Sequence, residues 1–92
     1  MELNEIRKAI DETDSKLIGD LVKRFNLVRE VAEYKKANNM PIRDVEREKI
    51  LLGKWKQKFK KEGFDDDKFV EKLFELVLNE AIKLERKNGA KD

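Results

Sequence analysis

Ninety-two residues, 39% hydrophobic and 46% charged, make a single domain near the lower limit for an unaided core, and they fit a helical bundle with a solvated exterior. The chain has no cysteine, which excludes a disulfide framework or a thiolate metal site, and no histidine, which removes the commonest acid–base catalyst and metal ligand. A net charge of +2 with acids and bases interspersed is not the footprint of a dedicated nucleic-acid binder. The N-terminal Met-Glu-Leu-Asn is not a signal peptide, and no apolar run approaches ~18 residues, so a soluble cytoplasmic protein with no membrane partner is expected.

The first predicted element is one long amphipathic helix from Leu3 to about Asn38. Apolar residues recur at helical spacing at Leu3, Ile6, Ile10, Leu17, Leu21, Val28 and Val31. No proline interrupts them. Gly19 is the one strong helix-weakening residue inside, costing about 1 kcal/mol relative to Ala, and it marks a place where the rod could bend. Asn4 is available to cap a shortened version of the helix. Some 36 residues at a 1.5 Å rise span roughly 54 Å. A compact chain of this length has a diameter of only about 30–35 Å. One end of the rod must therefore project beyond its own domain.

Asn38-Asn39-Met40-Pro41 ends the helix, because Asn favours a C-terminal stop and the residue before Pro is pushed out of the α region. After a short extended connector, Asp44 is a good N-cap for a second helix, with Glu46 and Glu48 in its first turn. That helix runs through Leu51, Leu52, Trp55 and Phe59 to about Glu62, and Gly63 stops it. Asp65-Asp66-Asp67 opens a third helix carrying Phe69, Val70, Leu73, Phe74, Val77, Leu78, Ala81 and Leu84. It frays at Lys87-Asn88-Gly89, leaving residues 88–92 expected as a disordered tail. With no strand alternation and no repeats, the fold class is all-α, with three helices in one domain over residues 1–92.

Each helix carries a charge where its own periodicity calls for an apolar residue. On the first helix, the row Ile10, Asp14, Leu17, Leu21, Arg24, Val28, Val31, Lys35 places two cations on the apolar stripe, and extending it backwards reaches Arg7. Glu48 begins the row Glu48, Leu52, Trp55, Phe59 of the second helix, and Glu85 ends the row Phe74, Leu78, Ala81, Glu85 of the third. Unpaired buried charges cost several kcal/mol, so these groups need partners. They can pair with one another or reach water. With Arg7 and Arg47 beside the same rows, however, cations remain in excess, which suits a small anion with more than one carboxylate. Arg24 and Lys35 lie within about 20° around the helix and about 16 Å along it, close enough for both to close on one ligand. Arg7 lies roughly 25 Å from Arg24 along the rod and cannot reach that ligand. If Arg7 has a site role, the site belongs to another chain, as a two-fold dimer with crossed long helices would allow.

Four segments carry a family resemblance: Ile-Arg-Lys-Ala-Ile-Asp-Glu-Thr-Asp at 6–14, Val-Lys-Arg at 22–24, Val-Ala-Glu-Tyr-Lys at 31–35, and Pro-Ile-Arg-Asp-Val-Glu-Arg-Glu at 41–48. At these spacings the chain resembles the small all-helical chorismate mutases, the AroQ class, from Ile6 to about Glu85. The resemblance implies an intertwined two-fold homodimer that rearranges chorismate to prephenate, the branch step toward phenylalanine and tyrosine. That reaction is a concerted pericyclic shift needing no nucleophile, metal or cofactor. The enzyme holds a dicarboxylate in its compact reactive conformer and stabilises charge developing on the ether oxygen.

By resemblance, Arg24 grips one substrate carboxylate, and Arg7, donated by the neighbouring subunit, grips the other. Lys35 contacts a carboxylate and the ether oxygen, and Arg47 supports the site. Glu48 accepts a hydrogen bond from the ring hydroxyl, with the Asp44 backbone helping. Glu85 stands where the family often has glutamine as the second donor to the ether oxygen; some members of the wider family use glutamate there. A carboxylate must be protonated to donate. Ala81 replaces a small polar residue found in other members. With 92 residues, a monofunctional enzyme without end-product feedback is expected.

Three rival readings remain. An isochorismate pyruvate-lyase would use the same scaffold and similar cations, but its relatives lack the carboxylate at the Glu48 position. A helical dimerisation or regulatory module would use the cations only in ion pairs. Nucleic-acid binding would enlist Lys54, Lys56, Lys58, Lys60 and Lys61 around Trp55, although their alternation spreads them around the second helix.

Overall fold

A computed structural model describes residues 1–92 and contains three helices: α1 (Leu3–Ala37), α2 (Val45–Lys61) and α3 (Asp67–Lys87). α1 is unbroken through Gly19, and Glu2 stands at its N-cap without a side-chain cap bond, so Asn4 lies inside the helix. Asp44 caps α2 by accepting from the Arg47 amide at 3.1 Å, and Asp66 caps α3 by accepting from the Phe69 amide at 3.1 Å.

All three helices end in the same way. The residue after each C-cap is left-handed: Asn39 at φ 54°, Gly63 at 88° and Gly89 at 95°. The following amide then reaches back five residues, Met40 to Lys35, Phe64 to Phe59 and Ala90 to Glu85, at 2.8, 2.9 and 3.0 Å. This is the Schellman arrangement, in which glycine or asparagine supplies the positive φ at little cost.

α3 packs against both other helices, whereas the α1 and α2 backbones do not approach each other. The molecule measures 55 × 23 × 16 Å, the long dimension being that expected of the first helix. α3 is shorter than α1, at 21 residues against 35, and it covers only the C-terminal part of the rod. Hence Ala32 is the one buried residue of α1, while Leu3, Ile6, Ile10, Leu17 and Leu21 of the predicted apolar stripe are exposed. The buried residues come mainly from α3 (Val70, Phe74, Val77, Ala81, Ile82 and Glu85), joined by Ile42 of the connector and Ala90 of the tail.

The tail departs from the expected disorder. Lys91 forms a parallel bridge with Pro41, and Ala90 is buried with Ala32, Ile42 and Ile82. The left-handed turn at Gly89 accounts for this, because it reverses the chain onto the connector instead of releasing it into solvent.

Candidate active site

A cavity of about 180 Å³ lies where the C-terminal half of α1, the start of α2 and the C-terminal half of α3 converge. Its polar lining is Arg24, Lys35, Asp44, Arg47, Glu48 and Glu85. These are six of the seven site residues expected from the sequence, brought together from three helices and one cap. Apolar walls come from Val28, Val31, Ile42, Leu51, Phe74, Leu78, Ala81 and Ile82. The seventh residue, Arg7, is exposed on the projecting end of α1 and does not reach this cavity. No three carboxylates converge in a way that would hold a metal ion.

The charges on the apolar stripes resolve differently. Lys35 Nζ pairs with Glu85 Oε1 at 2.7 Å and also donates to the Ile42 carbonyl at 2.5 Å. A lysine four-fifths buried is thus held by one carboxylate and one peptide oxygen, as burial of charge requires. Glu48 is taken by a partner that periodicity did not reveal. Arg43, in the connector, donates through Nε and Nη2 to its two oxygens at 2.7 and 2.6 Å. That fork lowers the Glu48 pKa below the ordinary carboxylate value; burial opposes the shift, and the Arg43 charge adds to it.

Arg24 is left over. Its guanidinium carbon lies 5.8 Å from the centroid of the Trp55 ring, a cation–π contact, and Trp55 meets Phe74 edge-on at 5.1 Å. Nη1 of Arg24 is buried and has no hydrogen-bond partner in the chain. Burial, and next the nearby Arg47 charge, lower the Arg24 pKa from its ordinary value. Two guanidinium groups facing one cavity, one of them with a buried unanswered donor, form a receptor for an anion.

Arg43 could not be found from helical spacing because it precedes the helix that carries its partner. Its available signal was a cation beside the Asp44 cap and five residues before a misplaced carboxylate. Three of the five lysines around Trp55 are occupied by carboxylates. Lys56 pairs with Glu71 at 2.7 Å, Lys58 with Glu62 at 2.9 Å, and Lys60 lies 3.8 Å from Asp67. Trp55 itself is turned toward Arg24 and Phe74, away from any role as an exposed stacking platform.

Comparison with known proteins identifies the chain's relatives. Residues 6–86 match the family described as chorismate mutase type II. The chain is 35% identical over 77 residues to a chorismate mutase of Methanocaldococcus jannaschii, covering 84% of this chain and 77% of that protein. It is 38% identical over 86 residues to a bifunctional chorismate mutase/prephenate dehydratase of Buchnera aphidicola subsp. Schizaphis graminum, covering 94% of this chain. It is also 33% identical over 90 residues to a T-protein of Enterobacter agglomerans. The chain spans 22% and 24% of the length of those last two relatives. This all-helical chain belongs to the chorismate mutase type II family.

Proposed function

We propose that the chain catalyses the rearrangement of chorismate to prephenate in phenylalanine and tyrosine biosynthesis. The observation that carries this reading is the buried, unpartnered Nη1 of Arg24 in a cavity that also contains Lys35, Arg47, Glu48 and Glu85. An unanswered buried donor of this kind is satisfied by an incoming carboxylate. Arg24 grips one substrate carboxylate, supported by Arg47. Lys35, still held by the Ile42 carbonyl, turns its remaining donors to a carboxylate and the ether oxygen. Glu48, kept ionised by Arg43, accepts from the ring hydroxyl beside the Asp44 backbone. Glu85 donates to the ether oxygen when protonated. Substrate is held in the compact conformer that brings the reacting carbons together, and charge developing on oxygen meets preorganised donors as the C–O bond breaks.

The working form is a two-fold homodimer in which Arg7 of each chain completes the partner's site. Accessible surface supports this. The single chain exposes 7603 Å², against roughly 5,600 Å² expected of a folded monomer of its 10.9 kDa mass. Most of the exposed large hydrophobic residues lie along α1, among them Leu3, Ile6, Ile10, Leu17 and Leu21. A second copy laid along that stripe would bury it and bring Arg7 to the far site.

The test is incubation of the purified protein with chorismate, with prephenate detected directly, and with isochorismate in parallel. Prephenate from chorismate is the expected result. Pyruvate from isochorismate without prephenate would instead establish the lyase reading. Neither product would leave a binding or dimerisation module.

A further inference from the structure

The family match ends at residue 86, yet the residues after it are built into the site's frame. The tail turns back from a site residue: the Ala90 amide donates to the Glu85 carbonyl at 3.0 Å, with Gly89 at φ 95° making the reversal. Ala90 is 6% exposed and packs with Ala32, Ile42 and Ile82. The Lys91 carbonyl accepts from the Ile42 amide at 3.0 Å. Beyond it, Arg86 holds the Asp92 carboxylate through Nε and Nη2 at 3.1 and 2.9 Å.

Ile42 is therefore gripped on both sides. Its amide is fixed by the tail, and its carbonyl accepts from Lys35 Nζ. A lysine ammonium on a flexible four-carbon stem is placed only by the groups it bonds. Lys35 has two such groups, the Glu85 carboxylate and the Ile42 carbonyl. The tail springs from the first residue and clamps the second.

We infer that residues 89–92 form a strap that positions Lys35, with buried Ala90 and the Lys91 carbonyl as its positioning groups. This rests on the mutase reading, in which Lys35 meets the ether oxygen. A strap of this kind acts on the transition state more than on substrate binding, because the ether oxygen gains its charge only as the bond breaks.

The experiment removes residues 89–92 and, separately, makes Arg86→Gln, which frees the end of the strap without touching the core. Deletion is expected to lower kcat about 10- to 100-fold with KM within about threefold, and Arg86→Gln to shift kcat in the same direction by less. Hydrogen exchange at the Ile42 amide and acylation of Lys35 by an amine-reactive probe should both accelerate. In a Lys35→Arg background, the deletion should cost far less than in wild type. Unchanged kcat in a folded deletion variant would overturn the strap. So would an equal loss in the Lys35→Arg background, which would mark the tail as a core cover alone. If the deletion variant does not fold, Arg86→Gln decides: unchanged kcat, Ile42 exchange and Lys35 acylation overturn the strap. If wild type forms no prephenate, the mutase reading has failed. Ile42 exchange and Lys35 acylation then decide the strap by themselves.

Discussion

Arg43 holds both carboxylate oxygens of Glu48, at 2.7 and 2.6 Å, across the N-cap of α2. The fork fixes the plane of the carboxylate and favours its ionised form, and each oxygen keeps a lone pair for a substrate hydroxyl. Arg43 does not line the cavity itself. It acts through Glu48 and is a positioning residue.

Arg43→Gln should therefore change the pH dependence. Glu48 works ionised, so its contribution is present above its folded pKa and lost as pH falls through that value. The groups acting on Glu48 are Arg43 and Lys35, which lower its pKa, and Asp44 and burial, which raise it. Removing Arg43 moves that pKa up, toward or beyond the ordinary value of about 4.3, and the acid limb of kcat/KM moves up with it. Profiles of both proteins from pH 4 to 8 check this. Superimposable acid limbs would mean that the pair has no bearing on turnover.

Arg24→Ala removes the donor that has no partner in the chain. Truncating one side of a buried charged contact commonly costs 2–5 kcal/mol, or about 30- to 4,000-fold, and kcat/KM for chorismate should fall within that range. Stability should change less, because Arg24 makes no ion pair in the free protein; its contact is with the Trp55 ring. Kinetics and thermal melts on the same sample separate the two effects. A collapsed fold, with no mutase activity in wild type, would favour a purely structural cation.

How legible this site was follows from how each residue is held. Arg24, Lys35, Glu48 and Glu85 broke the helical period, and period is what sequence displays best. The caps and stops were also visible: Asp44, Gly63 and the Asp65-Asp66-Asp67 run all sit at helix boundaries. Arg43 and the tail were not visible, because their roles come from tertiary pairing of a connector with a helix and of one chain end with position 42. The stripe on α1 is apolar in sequence, but burial within one chain does not follow from that. What covers a stripe depends on the length of the neighbouring helix, and α3 is too short to cover this one.

Glu85 forms an ion pair with Lys35 at 2.7 Å. To assist the ether oxygen it must carry a proton. Glu85→Gln, whose amide donates without a bound proton, should therefore keep or raise kcat, whereas Glu85→Ala, which removes the group, should lower it about 100-fold. Equal kcat in Glu85→Gln and Glu85→Ala would count against this role.

The central claim is that one α1 rod serves two sites, Arg7 in the partner's and Arg24 with Lys35 in its own. Mixing Arg7→Ala and Arg24→Ala subunits tests it most directly. Each variant alone should be nearly inactive. In a mixed dimer, one site contains both lesions and the other contains none. Random reassortment makes half the dimers mixed, so the mixture should recover about one quarter of wild-type activity. Activity no greater than the sum of the two separate variants, with mixed dimers verified by mass, would contradict the shared site.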